Sequence, residues 1–265
     1  MNLGKVKTFL IILFLGINIY LAASHFFATR FFVDNKTVEQ TLEILKSHDI
    51  TIDKATIPRY TVNLKNIDTS NIVYNKKFKS KTKDGVFSVS GDDFSCEIDI
   101  HGKSTSDKAI KNQIKEFLKD AGFSVKYMDF GKVKKTNDNK GKTFSINCKV
   151  NGYRIFDSKI DVCVADGTIQ LNGRWFEPTE SDVVSASRSR QSVYITSILV
   201  SLIQNEDIVS NAPVSIKKID CGYLSGSLYA GGGHIETTAR PYYKLTDKHG
   251  NTYYYDAKDG SYLKN

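Results

Sequence analysis

The sequence predicts an α+β protein in which an N-terminal transmembrane helix precedes two related units, each an antiparallel meander packed on one helix. Three observations predict it. Residues 9–27 form a nineteen-residue stretch without a charge. The rest of the chain alternates apolar and polar residues with period two and is rich in Tyr (14) and Phe (15) but poor in Pro (4), a strand-forming composition. The order helix, strand, strand, turn, strand then occurs twice, over 106–175 and over 192–263.

The uncharged stretch sets the topology. At about 1.5 Å of rise per residue it would reach ~28 Å as a helix, close to the hydrocarbon thickness of a bilayer. Lys5 and Lys7 precede it, and the next basic residue is Arg30. The positive-inside bias therefore predicts a cytoplasmic N-terminus and an extracytoplasmic body at the cell membrane. A cleaved signal peptide is the competing reading, with Ala22-Ala23-Ser24 as its small-residue site. The apolar residues Phe26, Phe27, Phe31 and Phe32, past that site, favour an uncleaved anchor. The expected division is 1–30 for the cytoplasmic tip and anchor, 31–178 for a first α+β domain and 179–265 for a second.

The formal charge of +8 does not call for nucleic acid on a chain outside the cytoplasm. There the available anions are lipid headgroups and wall polymers, and a solvated basic face is the simpler account. Four cysteines in that location invite disulfides. Alternation instead places Cys96 with Phe94 and Ile98, Cys148 with Ile146 and Val150, and Cys221 with Ile219 and Tyr223, as small buried hydrophobes. Cys163 falls on the face of Asp161.

Past the anchor, Asn35 is placed to cap a helix carrying Val38, Leu42 and Leu45 and ending near His48. Extended segments are expected at 60–64, 72–75, 86–89 and 94–100. Lys77, Lys79, Lys81 and Lys83 would share one face if extended, either as an anion-binding comb or as a soluble edge. A second helix is capped by Ser104 or Ser106, carries Ile110, Ile114, Phe117 and Leu118, and stops at Gly122. Strands follow at 125–129, 143–150 and 153–165, and Asp166-Gly167 is a two-residue hairpin turn into 168–175. Trp175, the single tryptophan, reads as packing. Glu177-Pro178-Thr179-Glu180 reads as a boundary. Tyr194, Ile195, Ile198, Leu199, Leu202 and Ile203 then form a helical face, and strands at 214–223, 241–246 and 252–256 close the chain.

No catalytic chemistry is indicated. His25, His48, His101, His234 and His249 have no metal-type spacing, and neither a nucleophile elbow nor a Cys/His motif occurs. Gly231-Gly232-Gly233-His234 leads into an extended stretch rather than a helix, so it lacks the helix dipole of a phosphate loop. The expectation is a non-enzyme without cofactor or metal. Asn18 is the most informative residue of the span, because an amide in hydrocarbon needs a hydrogen-bond partner, either a second helix or its own backbone.

Both ends of the chain carry a family resemblance. Lys5-Val6-Lys7-Thr8-Phe9, with Phe14-Leu15, Asn18 and Leu21, resembles the opening of the YycI/YycH proteins of Gram-positive bacteria. Pro241-Tyr242-Tyr243-Lys244-Leu245 is similar to the family's P-a-W-[KR]-I, with Tyr243 where Trp is usual. Tyr253-Tyr254-Tyr255-Asp256-Ala257 with Gly260 is similar to its closing motif, with Asp256 where Asn is usual, and to that of PepSY-like domains. Length favours the YycI member. The resemblance implies a single-span accessory protein that modulates a sensor histidine kinase of the WalK/WalR (YycG/YycF) system, often beside a paralogous YycH-type partner. It also implies a transmembrane contact through Phe14, Asn18 and Leu21. The alternative is a wall-associated binding module or PepSY-like protease inhibitor with no kinase partner.

Overall fold

The computed structural model describes residues 11–21, 30–62, 64–100, 106–136, 141–179, 192–225 and 236–264. Of the apolar stretch 9–27, residues 11–21 are helical, and the others lie outside the described residues. No described helix is long and apolar enough to cross a membrane. The remainder is an α+β fold, as alternation and aromatic content predict, but its large sheet is mixed rather than made of antiparallel meanders alone: residues 50–52 and 154–155 pair in parallel with the strand over 214–224.

Strand β1 (Arg30–Phe32) leads to helix α1 (Asn35–Lys46), which buries Val38, Thr41 and Leu45. Its cap is Asp34 rather than Asn35: the Asp34 carboxylate accepts from the Thr37 backbone N–H, so Asn35 becomes the first helical residue. Strands β2 (Ile50–Ile52), β3 (Tyr60–Val62) and β4 (Ile67–Asn71) follow. The extended segment expected at 72–75 is instead a 3₁₀ turn over Ile72–Tyr74, because the Asn71 side chain accepts from Val73 N–H and offers the backbone a local alternative to the sheet.

The lysine comb does not form a strand either. Asn75 Oδ1 accepts from Lys77 N–H at 2.9 Å and Lys79 N–H is drawn to the Ala121 carbonyl, so this stretch turns against the end of a helix. Strands β5 (Gly85–Ser90) and β6 (Asp93–Asp99) form a hairpin, and α2 (Asp107–Asp120) is capped by Ser106, whose Oγ accepts from Ala109 N–H. Residues 125–127 make a 3₁₀ turn ahead of β7 (Met128–Phe130), where a strand was expected from 125. Then come β8 (Lys134–Lys135), β9 (Lys142–Val150), β10 (Tyr153–Ala165), β11 (Thr168–Arg174) and β12 (Phe176–Pro178). The Asp166-Gly167 hairpin is as predicted, with both residues at positive φ (48° and 77°) as a type I′ turn requires. The chain closes with α3 (Ile195–Ser201), the short α4 (Glu206–Val209), β13 (Val214–Leu224), β14 (Glu236–Asp247), β15 (Thr252–Asp256) and β16 (Tyr262–Leu263).

These elements gather into two compact units that are discontinuous in sequence. The stretch 179–265, expected as one domain, is shared between them: 189–220 and 243–265 join the first 64 residues, and 221–242 joins 65–188. In the first unit α1 packs on α3, and β2 runs parallel to the start of β13, Ile50 opposite Val214. Its core holds Leu45, Ile198, Leu199, Leu202, Tyr243, Leu245 and Tyr255. In the second unit β5, β6, β11, β10 and β9 form an antiparallel run, while β4 pairs with β12 and with the start of β14. Phe87 centres its aromatic core, within 6 Å of the rings of Phe78, Phe94, Phe117 and Phe123. Burying such rings contributes about 1.5–3 kcal/mol each.

All four cysteines are free. Cys96 and Cys148 are buried on the core face, and burial pushes their thiols up, Cys96 to about 11. Cys221 is only half-buried, like Cys163, because β13 loses its strict alternation at Lys217-Lys218, which are both exposed.

Candidate functional site

Glu177 is the best-defined candidate. Its strand β12 pairs with β4, Glu177 opposite Ser70, and its neighbours Trp175 and Phe176 are completely buried. Glu177 as a whole is 8% exposed, an expensive place for a charge unless donors surround it. Its Oε2 accepts from the Ser124 backbone N–H at 3.0 Å and from Trp175 Nε1–H at 3.4 Å.

The end of α2 supplies the first of these donors. Gly122 takes φ +99°, and Phe123 N–H returns to the Leu118 carbonyl, a Schellman-type stop that aims Ser124 at Glu177. A Cβ on Gly122 would lie 2.3 Å from the Lys77 carbonyl oxygen, so the absence of a side chain there lets the lysine-bearing turn sit against the helix end. The resulting cavity is about 670 Å³ and is lined by Tyr74, Lys76, Lys77, Lys126, Tyr127 and Glu177, among others. Burial pushes the Glu177 carboxyl above the usual carboxylate range; the Ser124 and Trp175 bonds and the Lys77 and Lys126 charges pull the other way.

The sequence reading missed this site. In the sequence Glu177 falls in a stretch that reads as a boundary, and Lys77 in a run that reads as a charged comb or soluble edge. The one signal available was an acidic residue directly after a Trp-Phe pair, within a strand that has to bury its neighbours.

The closing motif sits elsewhere and serves chiefly as core. Tyr243, Leu245, Tyr253 and Tyr255 are buried in the first unit, and Gly260 turns the chain at φ +77°. Asn205 Nδ2–H donates to Tyr255 Oη at 2.7 Å, and Tyr262 O–H donates to Asp207 at 3.0 Å, beside a cavity of about 310 Å³. Burial holds both phenols up at about 12, so they stay protonated and neutral. A third hollow, on the sheet face of the second unit, carries Lys132, Lys134, Arg154 and Lys159. Two of its cations are already engaged, Lys159 with Asp161 at 2.7 Å and Arg154 with Asp129 at 3.4 Å.

Phe14, Asn18 and Leu21 lie at i, i+4 and i+7 on one face of the N-terminal helix, all exposed. Asn18 Nδ2–H donates to the Phe14 carbonyl at 2.9 Å, so the amide donor is bonded to its own helix. Among the described residues no group of three or more His, Cys, Asp or Glu is placed to hold a metal. His48 and His249 are exposed; His25, His101 and His234, like the Gly231-Gly232-Gly233 run, lie outside the described residues.

No protein-family model matches the chain, and no curated protein does. Among solved structures it is similar to an uncharacterized protein from Eubacterium rectale ATCC 33656, at 11% identity and a TM-score of 0.45 over 86% of this chain and 99% of that one. It is also similar to the C-terminal domain of YpeB from Bacillus megaterium, at 12% identity and a TM-score of 0.30 over 88% of this chain and 99% of that one.

Proposed function

We propose that this chain is a membrane-anchored extracytoplasmic binding module, with a PepSY-like closing region, that binds wall material without catalysing a reaction. The observation that carries the reading is the Glu177 pocket: a buried carboxylate fixed by two N–H donors and open to a lysine- and tyrosine-lined cavity. The anchor is residues 9–27, and the exposed apolar side chains of 11–21, such as Ile11, Phe14 and Ile19, suit lipid. The full-length chain in nanodiscs should co-sediment with purified Gram-positive wall material. It should do so less when Lys77 and Lys126 are both replaced by Met. Failure of the wild-type chain to co-sediment sinks the reading.

A second reading is favoured by the motifs at the two ends of the chain. In it the protein modulates a sensor histidine kinase, beside a YycH-type partner, through the helix face of Phe14, Asn18 and Leu21. Asn18 Oδ1 then accepts from the partner helix while Nδ2 stays bonded to Phe14. Such interhelical bonds contribute roughly 0.6–2 kcal/mol. Asn18→Leu should insert normally yet crosslink to the kinase several-fold less in intact cells. Unchanged crosslinking and unchanged reporter output would make the helix a passive anchor.

A further inference from the structure

The Glu177 pocket makes three demands on an occupant. The first comes from the carboxylate. Glu177 is more than nine-tenths buried and both of its donors fall on Oε2. Among the described residues no donor reaches Oε1, and that oxygen is not fully buried, so it is left to water or to an occupant of the cavity. The second comes from charge. Lys76, Lys77 and Lys126 against Glu177 leave the lining at a formal +2, three cations less one anion. The third comes from shape. Tyr74 is held as a wall by its O–H, which donates to the Gly91 carbonyl at 3.1 Å, and Tyr127 lies beneath the Lys126 ammonium at 4.7 Å.

Simple occupants fail one demand each. An inorganic anion answers the lysines but offers no ring to the tyrosines. A cation answers Glu177 but enters a positive cavity. A small amino-acid zwitterion offers nothing ring-shaped to the tyrosines.

We infer that this pocket binds an anion-bearing sugar, a pyranose carrying a carboxylate or a phosphate. One hydroxyl donates to Glu177 Oε1, the anionic group meets Lys77 and Lys126, and the ring lies against a tyrosine face. The inference rests on the pocket being the binding site proposed above and specifies what enters it. The carboxylate sugar of a wall glycan and the sugar phosphate of a wall polymer share this chemistry, so the test separates them.

The test is calorimetric titration of the full-length chain in nanodiscs with four probes. N-acetylmuramic acid and N-acetylglucosamine 6-phosphate are the two acidic sugars; N-acetylglucosamine is the neutral control, and glycerol 3-phosphate is the anion without a ring. At least one acidic sugar should bind tenfold or more tighter than both controls, and which one does so identifies the source. Lys77→Met with Lys126→Met should reduce that sugar to the level of the neutral control. Glu177→Gln should weaken it about tenfold with the fold intact by circular dichroism. Parity between acidic and neutral sugars, equal binding of glycerol 3-phosphate, or an unaffected Glu177→Gln variant overturns the inference. If all four probes fail while wall co-sedimentation persists, the ligand class is wrong and the binding module stands. If co-sedimentation fails as well, both readings fall.

Discussion

Glu177, buried, and Asp157, half-buried, place two acids with raised carboxyls in one unit. Asp157 is held by the Ser225 O–H and by Ser225 N–H at 2.9 Å, and burial nonetheless pushes its carboxyl up, as it does for Glu177. An acid whose folded value lies above its ordinary value binds more protons folded than unfolded across that window. Stability therefore falls as pH rises from the ordinary carboxylate value through the raised one, and the loss is complete above it. The wild-type chain should melt at higher temperature on mild acidification, and Glu177→Gln should remove part of this dependence. At neutral pH that variant relieves a buried charge while its side-chain oxygen still accepts from Ser124. A rise in Tm of about 2–4 °C is expected, equivalent to about 1 kcal/mol in a chain of this size. A lower Tm at neutral pH would mean that the carboxylate stabilises the fold. None of this was legible in the sequence, because a Glu before a Pro is an ordinary loop signal, and only the pairing of β12 with β4 buries it.

The elements themselves were largely legible, and the exceptions share a cause. Helix α2 is legible through a serine cap at 104 or 106, an apolar stripe and the Gly122 stop, and the β10–β11 hairpin through Asp166-Gly167, since each rests on contacts within a few residues; the structure selects Ser106. The errors at 72–75 and 125–129 came from 3₁₀ turns. The first is set by the Asn71 side chain, a bond that periodicity does not register. Gly122 shows what such a local stop controls. Gly122→Ala forces a side chain into the left-handed region, at roughly 1–2 kcal/mol, and drives its Cβ into the Lys77 carbonyl. A drop in Tm of at least ~4 °C is expected, together with weaker wall binding, because Lys77 and Ser124 both shift. An unchanged melting curve would show that the turn at Lys77 moves aside freely.

At the scale of the whole chain, the division into units was the part least visible in sequence. Strands β13 and β14 each begin in one unit and end in the other, dividing at 220/221 and 242/243. Composition and turn signals mark boundaries along the chain, whereas each unit is assembled by pairings between distant segments, such as Ile50 with Val214 in the first. A fragment 179–265 should therefore not fold alone. It lacks β2 and α1, which cover β13 and α3, and it lacks β4, the partner of β14. A dispersed amide NMR spectrum from that fragment would contradict the discontinuous arrangement.

Trp175 has a practical consequence. It is the single tryptophan of the chain, it is completely buried beside Phe123, and its indole N–H donates to the carboxylate that faces the cavity. Excitation at the red edge of the indole band thus isolates one chromophore, coupled to the charge state of one acid. Its emission should shift when Glu177 takes up a proton or when a ligand changes the charge around it, with no label attached. The far more numerous tyrosines lie outside that excitation window. Occupancy of the pocket becomes readable in the purified chain, by an optical signal native to the protein.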